Sequence, residues 1–283
     1  MKSLIAGVMI SLVILGLSGC SSQPTPKELT TWKKECKKIQ NDNEDSHFIF
    51  AQGECLEYYE AKGNKKDEIT VLIHGSWPRG SDPLERRYAQ IADDMSRETS
   101  ITTLALAMPG YSYSTSNRYK DMSWRENKTV IPAEEEFVKI VASFIQKLKT
   151  KYHAKKVNIF GKSSGAMLGG IISGYQPGLI DKYILMGGAY DVYFTYRHNN
   201  WGTKNPGLLS SVDFVSDVKK DAQFLIIAGE DDRKAPPLFA TQYKKRLNNE
   251  EINAEVLVIQ GAKHSSLETN YEVLESTYKF LNN

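Results

Sequence analysis

Val157-Asn158-Ile159-Phe160-Gly161-Lys162-Ser163-Ser164-Gly165-Ala166-Met167-Leu168-Gly169-Gly170 is the stretch on which the reading of the chain turns. An apolar run stops at Gly161, one serine stands between two glycines, and a small-residue segment follows. Gly161 to Gly165 fits G-x-S-x-G, the pentapeptide that turns a buried strand sharply into a helix. Such a turn holds its serine in a strained backbone conformation, at about 1–3 kcal/mol. Glycines flank it because a Cβ there would collide with the crossing strand and helix. The hydroxyl is thereby raised at the carboxyl edge of a sheet, with a helix N-terminus behind it to favour negative charge. The same pentapeptide occurs in ordinary loops, so partners elsewhere must decide whether Ser163 is a nucleophile. A phosphate-binding loop ending in Gly161-Lys162-Ser163 is set aside. It needs a glycine five residues before Gly161, where Lys156 stands.

Outward from this turn the chain alternates. Upstream, Ile69 to Gly75 and Ile101 to Ala107 read as buried strands. Between them a helix from Leu84 to Arg97 carries Leu84, Tyr88, Ile91 and Met95 at helical spacing. A helix from Ala133 to Lys149 shows Phe137, Val141, Phe144 and Leu148 on one face. Downstream come apolar runs at Lys182 to Met186, Phe224 to Ala228 and Glu255 to Ile259, with helices at about Pro237–Asn248 and Asn270–Leu281. Near the start, Thr30 to Gln40 suits a short helix and Asn41 to Ser46 a loop. Phe48 to Phe50 and Leu56 to Glu60 suit strands, the second with the apolar–polar character of a sheet edge. Continuous apolar strands alternating with amphipathic helices predict an α/β fold, a mostly parallel doubly wound sheet. The one extended departure, about 190–222, reads as a small lid inserted into a single domain spanning 29–283. Its Tyr190, Tyr193, Phe194, Tyr196, His198 and Trp201 either line an acyl pocket or hold the lid down.

The 283 residues are 41% hydrophobic and 25% charged, enough to build a full core. A net charge of +2 with scattered basic residues argues against a nucleic-acid partner. No His-x-x-x-His or clustered Cys/His pattern appears, so no metal and no cofactor are expected. At the N-terminus, Lys2 precedes an apolar run from Leu4 to Leu17, short for a spanning helix but suited to a signal peptide. Leu17-Ser18-Gly19-Cys20 then resembles the lipobox of bacterial lipoproteins. The resemblance implies removal of residues 1–19 and lipidation of Cys20, and the polar composition with two prolines that follows makes 20–28 the lipidated cysteine and a short tether. Ser21 would suit outer-membrane sorting, facing the periplasm or cell surface. An ordinary secretory signal with an incidental cysteine is the alternative. In an exported chain, Cys36 and Cys55 either form a disulfide, which would contribute about 3 kcal/mol, or stay as two free thiols.

In open α/β sheets reactive groups gather at the carboxyl ends of strands. Phe224 to Ala228 runs into Gly229-Glu230-Asp231-Asp232-Arg233-Lys234-Ala235-Pro236, and Glu255 to Ile259 into Gln260-Gly261-Ala262-Lys263-His264. Serine, acid and histidine therefore follow in the order expected of a catalytic G-x-S-x-G turn. With His74-Gly75-Ser76 and Pro109-Gly110-Tyr111-Ser112 completing the set, the chain resembles the α/β-hydrolase superfamily over about residues 55–283. Its closest flavour is the compact esterase, dienelactone-hydrolase or prolyl-oligopeptidase-like branch. The resemblance implies Ser163 as nucleophile and His264 as base. The family's spacing to Ala235-Pro236 favours Asp232 as the acid, with Asp231 and Asp191 as fallbacks. It further implies an oxyanion hole from the backbone N–H of Ser164 and that of Ser76 or Trp77. His74 reads as a loop-shaping residue, while His47, His153 and His198 have no strand-end context. Lys162 inside the turn either faces solvent or favours an anionic substrate.

These readings lead to a lipid-anchored serine hydrolase acting on small esters. A peptidase or acyltransferase would share the same triad. An epoxide hydrolase or dehalogenase of this fold would need aspartate where Ser163 stands. A non-catalytic lipoprotein keeping the fold as a binding scaffold is the alternative from another class.

Overall fold

The computed structural model describes residues 24–42, 47–77, 80–114, 116–119, 122, 131–200 and 207–283. The signal segment, Cys20, the first part of the tether and Trp201 lie outside the described residues. Eight strands are found among them: β1 His47–Ala51, β2 Glu54–Ala61, β3 Lys65–Ile73, β4 Ile101–Leu106, β5 Lys156–Lys162, β6 Lys182–Met186, β7 Gln223–Gly229 and β8 Asn253–Ile259. They form one sheet in the order β1-β2-β4-β3-β5-β6-β7-β8. Strands β4 through β8 along that order run parallel, while β2 pairs antiparallel with β4 and β1 with β2. The helices are α1 Pro26–Asp42, α2 Leu84–Thr99, α3 Glu135–Lys151, α4 Ser164–Tyr175, α5 Val192–His198, α6 Pro237–Asn249 and α7 Tyr271–Asn282. Helices α2 and α7 touch each other, as do α3 and α4. The sheet is thus the mostly parallel, helix-covered α/β-hydrolase fold.

Central strands covered on both faces must be apolar on both. Val71, Leu72 and Ile73 of β3, Ile159 and Phe160 of β5, and Ile184 to Met186 of β6 are accordingly buried. Helix α4 is buried on every side from Ser164 to Gly174, which explains its small-residue composition and its lack of an amphipathic pattern.

Two expectations change. First, α1 begins at Pro26, not Thr30, and takes in the last residues of the expected tether. Thr25 and Glu28 form a capping box, the Thr25 N–H donating to Glu28 Oε2 at 2.8 Å and the Glu28 N–H to Thr25 Oγ1 at 3.3 Å. Pro26 then occupies the first helical position, where no N–H is needed. Second, β2 is an inner strand, because β1 pairs outside it. Of the two acids in that stretch Glu57 is buried and Glu60 half-buried: the Glu57 carboxylate accepts the Tyr113 N–H (2.9 Å), and that of Glu54, just before the stretch, accepts the Asn117 N–H (2.8 Å), which holds the loop after β4. A disulfide from Cys36 to Cys55 (Cα–Cα 5.3 Å) joins α1 to β2. In the segment expected as a lid, residues 201–206 lie outside the described residues, and the part after them returns along the body. Leu209 N–H donates to Ala133 O and Ser211 Oγ to Met167 O, so this return segment lies against α4 and the start of α3.

Candidate active site

Ser163 follows β5 with φ 52° and ψ −112°, a conformation that a side chain rarely adopts. Its backbone is held from two sides: its N–H donates to Met186 O at 2.8 Å, and its C=O accepts the Met167 N–H at 2.9 Å. Two residues on, a Cβ on Gly165 would lie 2.1 Å from Ile73 O, so the end of β3 passes directly against the start of α4. The hydroxyl caps nothing; Oγ stands 2.9 Å from His264 Nε2.

His264 opens a 3₁₀ turn, His264–Thr269, after β8, and its Nδ1 lies 2.7 Å from Asp232 Oδ2. A carboxylate only accepts, so the proton sits on Nδ1 and leaves Nε2 to accept from Ser163 Oγ. Asp232 lies in the loop after β7, and its side chain is fully buried. Its Oδ1 accepts the N–H groups of Lys234 and Ala235, both at 2.9 Å. One oxygen therefore shapes the turn before Pro236 while the other faces the imidazole. Neither fallback reaches that position: Asp231 is exposed, and Asp191 caps α5 by accepting the Phe194 N–H.

Gly187 is a site residue that the sequence reading missed. It has φ +61°, and a Cβ there would lie 3.2 Å from His264 Cε1 and 3.3 Å from Asp232 Oδ2. Only glycine lets the end of β6 close on that pair. The Met186-Gly187-Gly188 break after an apolar strand was the available signal.

The candidate oxyanion segments meet beside the serine. Ser76 Oγ and Ser164 Oγ are 2.9 Å apart, and Ser164 opens α4, where the first N–H groups have no intrahelical partner. His74 is completely buried. Its Nδ1 donates to Gly75 O at 2.7 Å and its Nε2 accepts the Met108 N–H at 3.0 Å, tying the loop after β3 to the loop after β4. Burial, reinforced by the charges of Arg87 and Lys162, lowers its pKa to about 3, so it is neutral at physiological pH. Its ring packs tilted against Trp77 (centroids 4.0 Å apart) and edge-on to Tyr111 (4.8 Å), forming an aromatic cluster beside that loop.

These groups surround a cavity of about 350 Å³. Trp77, Tyr88, Met167 and Tyr196 give it apolar walls, with Ser163 and His264 between them. The two readings of the aromatic segment divide by residue. Tyr196 lines the cavity, whereas Tyr190 stacks on Tyr243 (4.5 Å) and Phe194 packs edge-on to Phe239 (5.6 Å), anchoring the segment to α6. Lys162 matches neither expectation fully. It lines the cavity, and its Nζ donates to Glu268 Oε1 at 2.8 Å. His47 lies beside Glu60, His153 is exposed, and His198 packs on Phe239.

A family model described as the prolyl oligopeptidase family matches residues 109–283. Est1E from Butyrivibrio proteoclasticus, solved with ferulic acid bound, superposes with a TM-score of 0.62 at 16% identity, covering 83% of this chain and 96% of its own. The esterase Pf2001 from Pyrococcus furiosus gives 0.64 at 12% identity, covering 86% and 94%. A proline iminopeptidase from Mycobacterium smegmatis gives 0.58 at 16%, covering 83% and 97%. At these identities the three superpositions establish the shared fold. No curated protein matches the sequence.

Proposed function

Because the chain belongs to the prolyl oligopeptidase family, we propose that this serine hydrolase cleaves carboxylic esters through Ser163, His264 and Asp232. The observation that carries the reading is the pair of hydrogen bonds in line, 2.9 Å from Ser163 Oγ to His264 Nε2 and 2.7 Å from His264 Nδ1 to Asp232 Oδ2, on one cavity. A serine hydroxyl is a weak nucleophile without a base. Here His264 takes its proton as Oγ attacks the acyl carbonyl, and Asp232 stabilises the imidazolium that forms. The imidazolium then protonates the departing alcohol, leaving an acyl-enzyme, and the neutral imidazole activates water for the second half. Negative charge on the carbonyl oxygen is met by the N–H of Ser164 and that of Ser76 or Trp77. One such donor is worth about 10²–10³ in rate.

Cleavage of small peptides is the second reading, favoured by the family match itself and using the same triad. The shared alignment of serine, base and acid weighs against a scaffold without activity. The anchor is part of the proposal: Leu17-Ser18-Gly19-Cys20 supports a lipid on Cys20 that holds the enzyme at a membrane. Two acyl chains at about 0.8 kcal/mol per buried methylene would hold it stably.

Full-length protein purified in detergent is treated with a fluorophosphonate, mapped by mass spectrometry, and assayed on p-nitrophenyl esters and aminoacyl p-nitroanilides. The expected result is one adduct on Ser163, absent from Ser163→Ala, and turnover of the esters. Turnover of the anilides alone replaces the ester reading by the peptide one. Folded protein without adduct or turnover defeats both. Intact mass should show acyl chains on Cys20 and residues 1–19 removed, with no such mass in Cys20→Ser; a Cys20 without lipid would remove the anchor.

A further inference from the structure

Resting on the assignment of Ser163 and His264 above, we infer that Lys162 and Glu268 are positioning residues, an ion pair tying the histidine segment to the serine turn and balancing charge beside the imidazole. Lys162 ends β5 immediately before Ser163, and Glu268 lies in the 3₁₀ turn that His264 opens. Among the described residues no backbone hydrogen bond joins these two segments. Besides the bond between Ser163 and His264, which must break and reform in turnover, they are linked by the 2.8 Å contact of Lys162 Nζ with Glu268 Oε1.

The pair is partly withdrawn from water, its side chains 13% and 18% exposed. Glu268 is held from a second side, its Oε2 accepting from the Tyr88 hydroxyl at 3.3 Å. Burial and the adjoining Glu268 carboxylate push the Tyr88 hydroxyl well above the ordinary tyrosine range, so it remains a donor. A carboxylate gripped by an ammonium and a phenol has little freedom, and it fixes the turn on which the imidazole rides.

Both residues line the catalytic cavity, so their charges act on His264 when it becomes cationic. Losing one partner of such a pair leaves a poorly solvated lone charge. A lone Lys162 would oppose the imidazolium, and a lone Glu268 would favour it. Among the described residues, the other charged or titratable groups around the cavity are Asp232 and Lys234 in the loop after β7, Arg87 and Tyr88 on α2 and Tyr196 on α5, with the neutral His74 buried behind it within the field of Lys162. All of them stay in place in the variants below.

Lys162→Met, Glu268→Gln and the double variant are compared in the full-length protein with p-nitrophenyl butyrate. Each single change should lower kcat about tenfold with KM nearly constant. The double should be no worse than either single, far short of their product. The acidic limb of the kcat/KM profile should move up by about half a pH unit in Lys162→Met and down by as much in Glu268→Gln, returning in the double. Losses that multiply, or limbs that coincide with the wild type, overturn the inference. If one single variant does not fold, the limb of the other decides. Failure is separable from that of the triad: a wild type neither labelled nor active removes both, whereas a labelled, active wild type with unaltered variants removes only the positioning pair.

Discussion

Replacing Ser163 by glycine should make the protein more stable than replacing it by alanine, although both changes delete the proposed nucleophile. At φ 52° and ψ −112° the residue lies outside even the left-handed helical region, where ψ is about +30 to +60°. A side chain held there costs about 1–3 kcal/mol. Alanine keeps the Cβ and so keeps the strain; glycine releases it. Both variants lose the same 2.9 Å contact with His264, which cancels in the comparison. The backbone bonds to Met186 and Met167 do not involve the side chain and should persist in both. Against the relief stands the greater freedom of glycine in the unfolded chain, about 0.5–1 kcal/mol. The balance leaves glycine ahead by about 1 kcal/mol, or about 2–4 °C in Tm for a chain of this size. Thermal melts and urea midpoints of the two variants at one pH measure it, equal m values showing that the unfolded states match. A glycine variant that melts at or below the alanine variant would mean that the backbone at the nucleophile is relaxed and that strain plays no part in presenting it.

Gly165→Ala should lose more than about 3 kcal/mol and accumulate as insoluble protein, since its Cβ would sit 2.1 Å from Ile73 O, a backbone atom that cannot step aside; soluble expression and melting temperature test this. Replacing Cys36 and Cys55 by alanine should cost about 3 kcal/mol of stability, and reductant should lower the wild-type melting temperature but not that of the variant. Asp232→Asn should reduce kcat by about 10²–10⁴, because an amide no longer fixes the imidazole tautomer, with folding unchanged by circular dichroism. His74 stays neutral in the fold to about pH 3, whereas the unfolded residue takes a proton near 6.5. Stability should therefore fall with decreasing pH in that window, by up to about 1.4 kcal/mol per unit, and His74→Gln should flatten the slope in urea titrations. Buried Glu54 and Glu57, whose pKa values are raised, act oppositely by favouring the fold at lower pH, so the comparison with His74→Gln isolates the histidine.

What the sequence made readable follows from where the signals are local. The central strands announce themselves because burial on both faces removes polar residues, and the turn at Ser163 does so because steric crowding forces glycines two residues away on either side. Thr25-Pro26-x-Glu28 was equally local, a capping box with proline at the first helical position, and it marks the true start of α1. Glu57 misled because its charge suggested a solvent-facing edge. Its carboxylate, like that of Glu54 nearby, binds a backbone N–H of a loop more than fifty residues away, a partnership with no local trace.

Lys162 shows where the same logic stops. Strand ends of a parallel sheet converge, so topology alone brings the residues after β5, β7 and β8 to one edge. That is why an acid and a histidine could be sought in those loops. Convergence of backbones does not say how far a long side chain reaches across the edge. Lys162 and Glu268 are 106 positions apart, and their contact depends on the 3₁₀ turn that carries Glu268 one turn beyond His264. A lysine placed beside a nucleophile is tolerable in a partly dry cavity only when an acid neutralises it. The sequence posed that requirement, and the fold answers it with the residue that also anchors the base. The electrostatic need of the serine turn and the mechanical need of the histidine turn are thus met by one pair, which is why removing either partner should alter both the rate and its pH dependence.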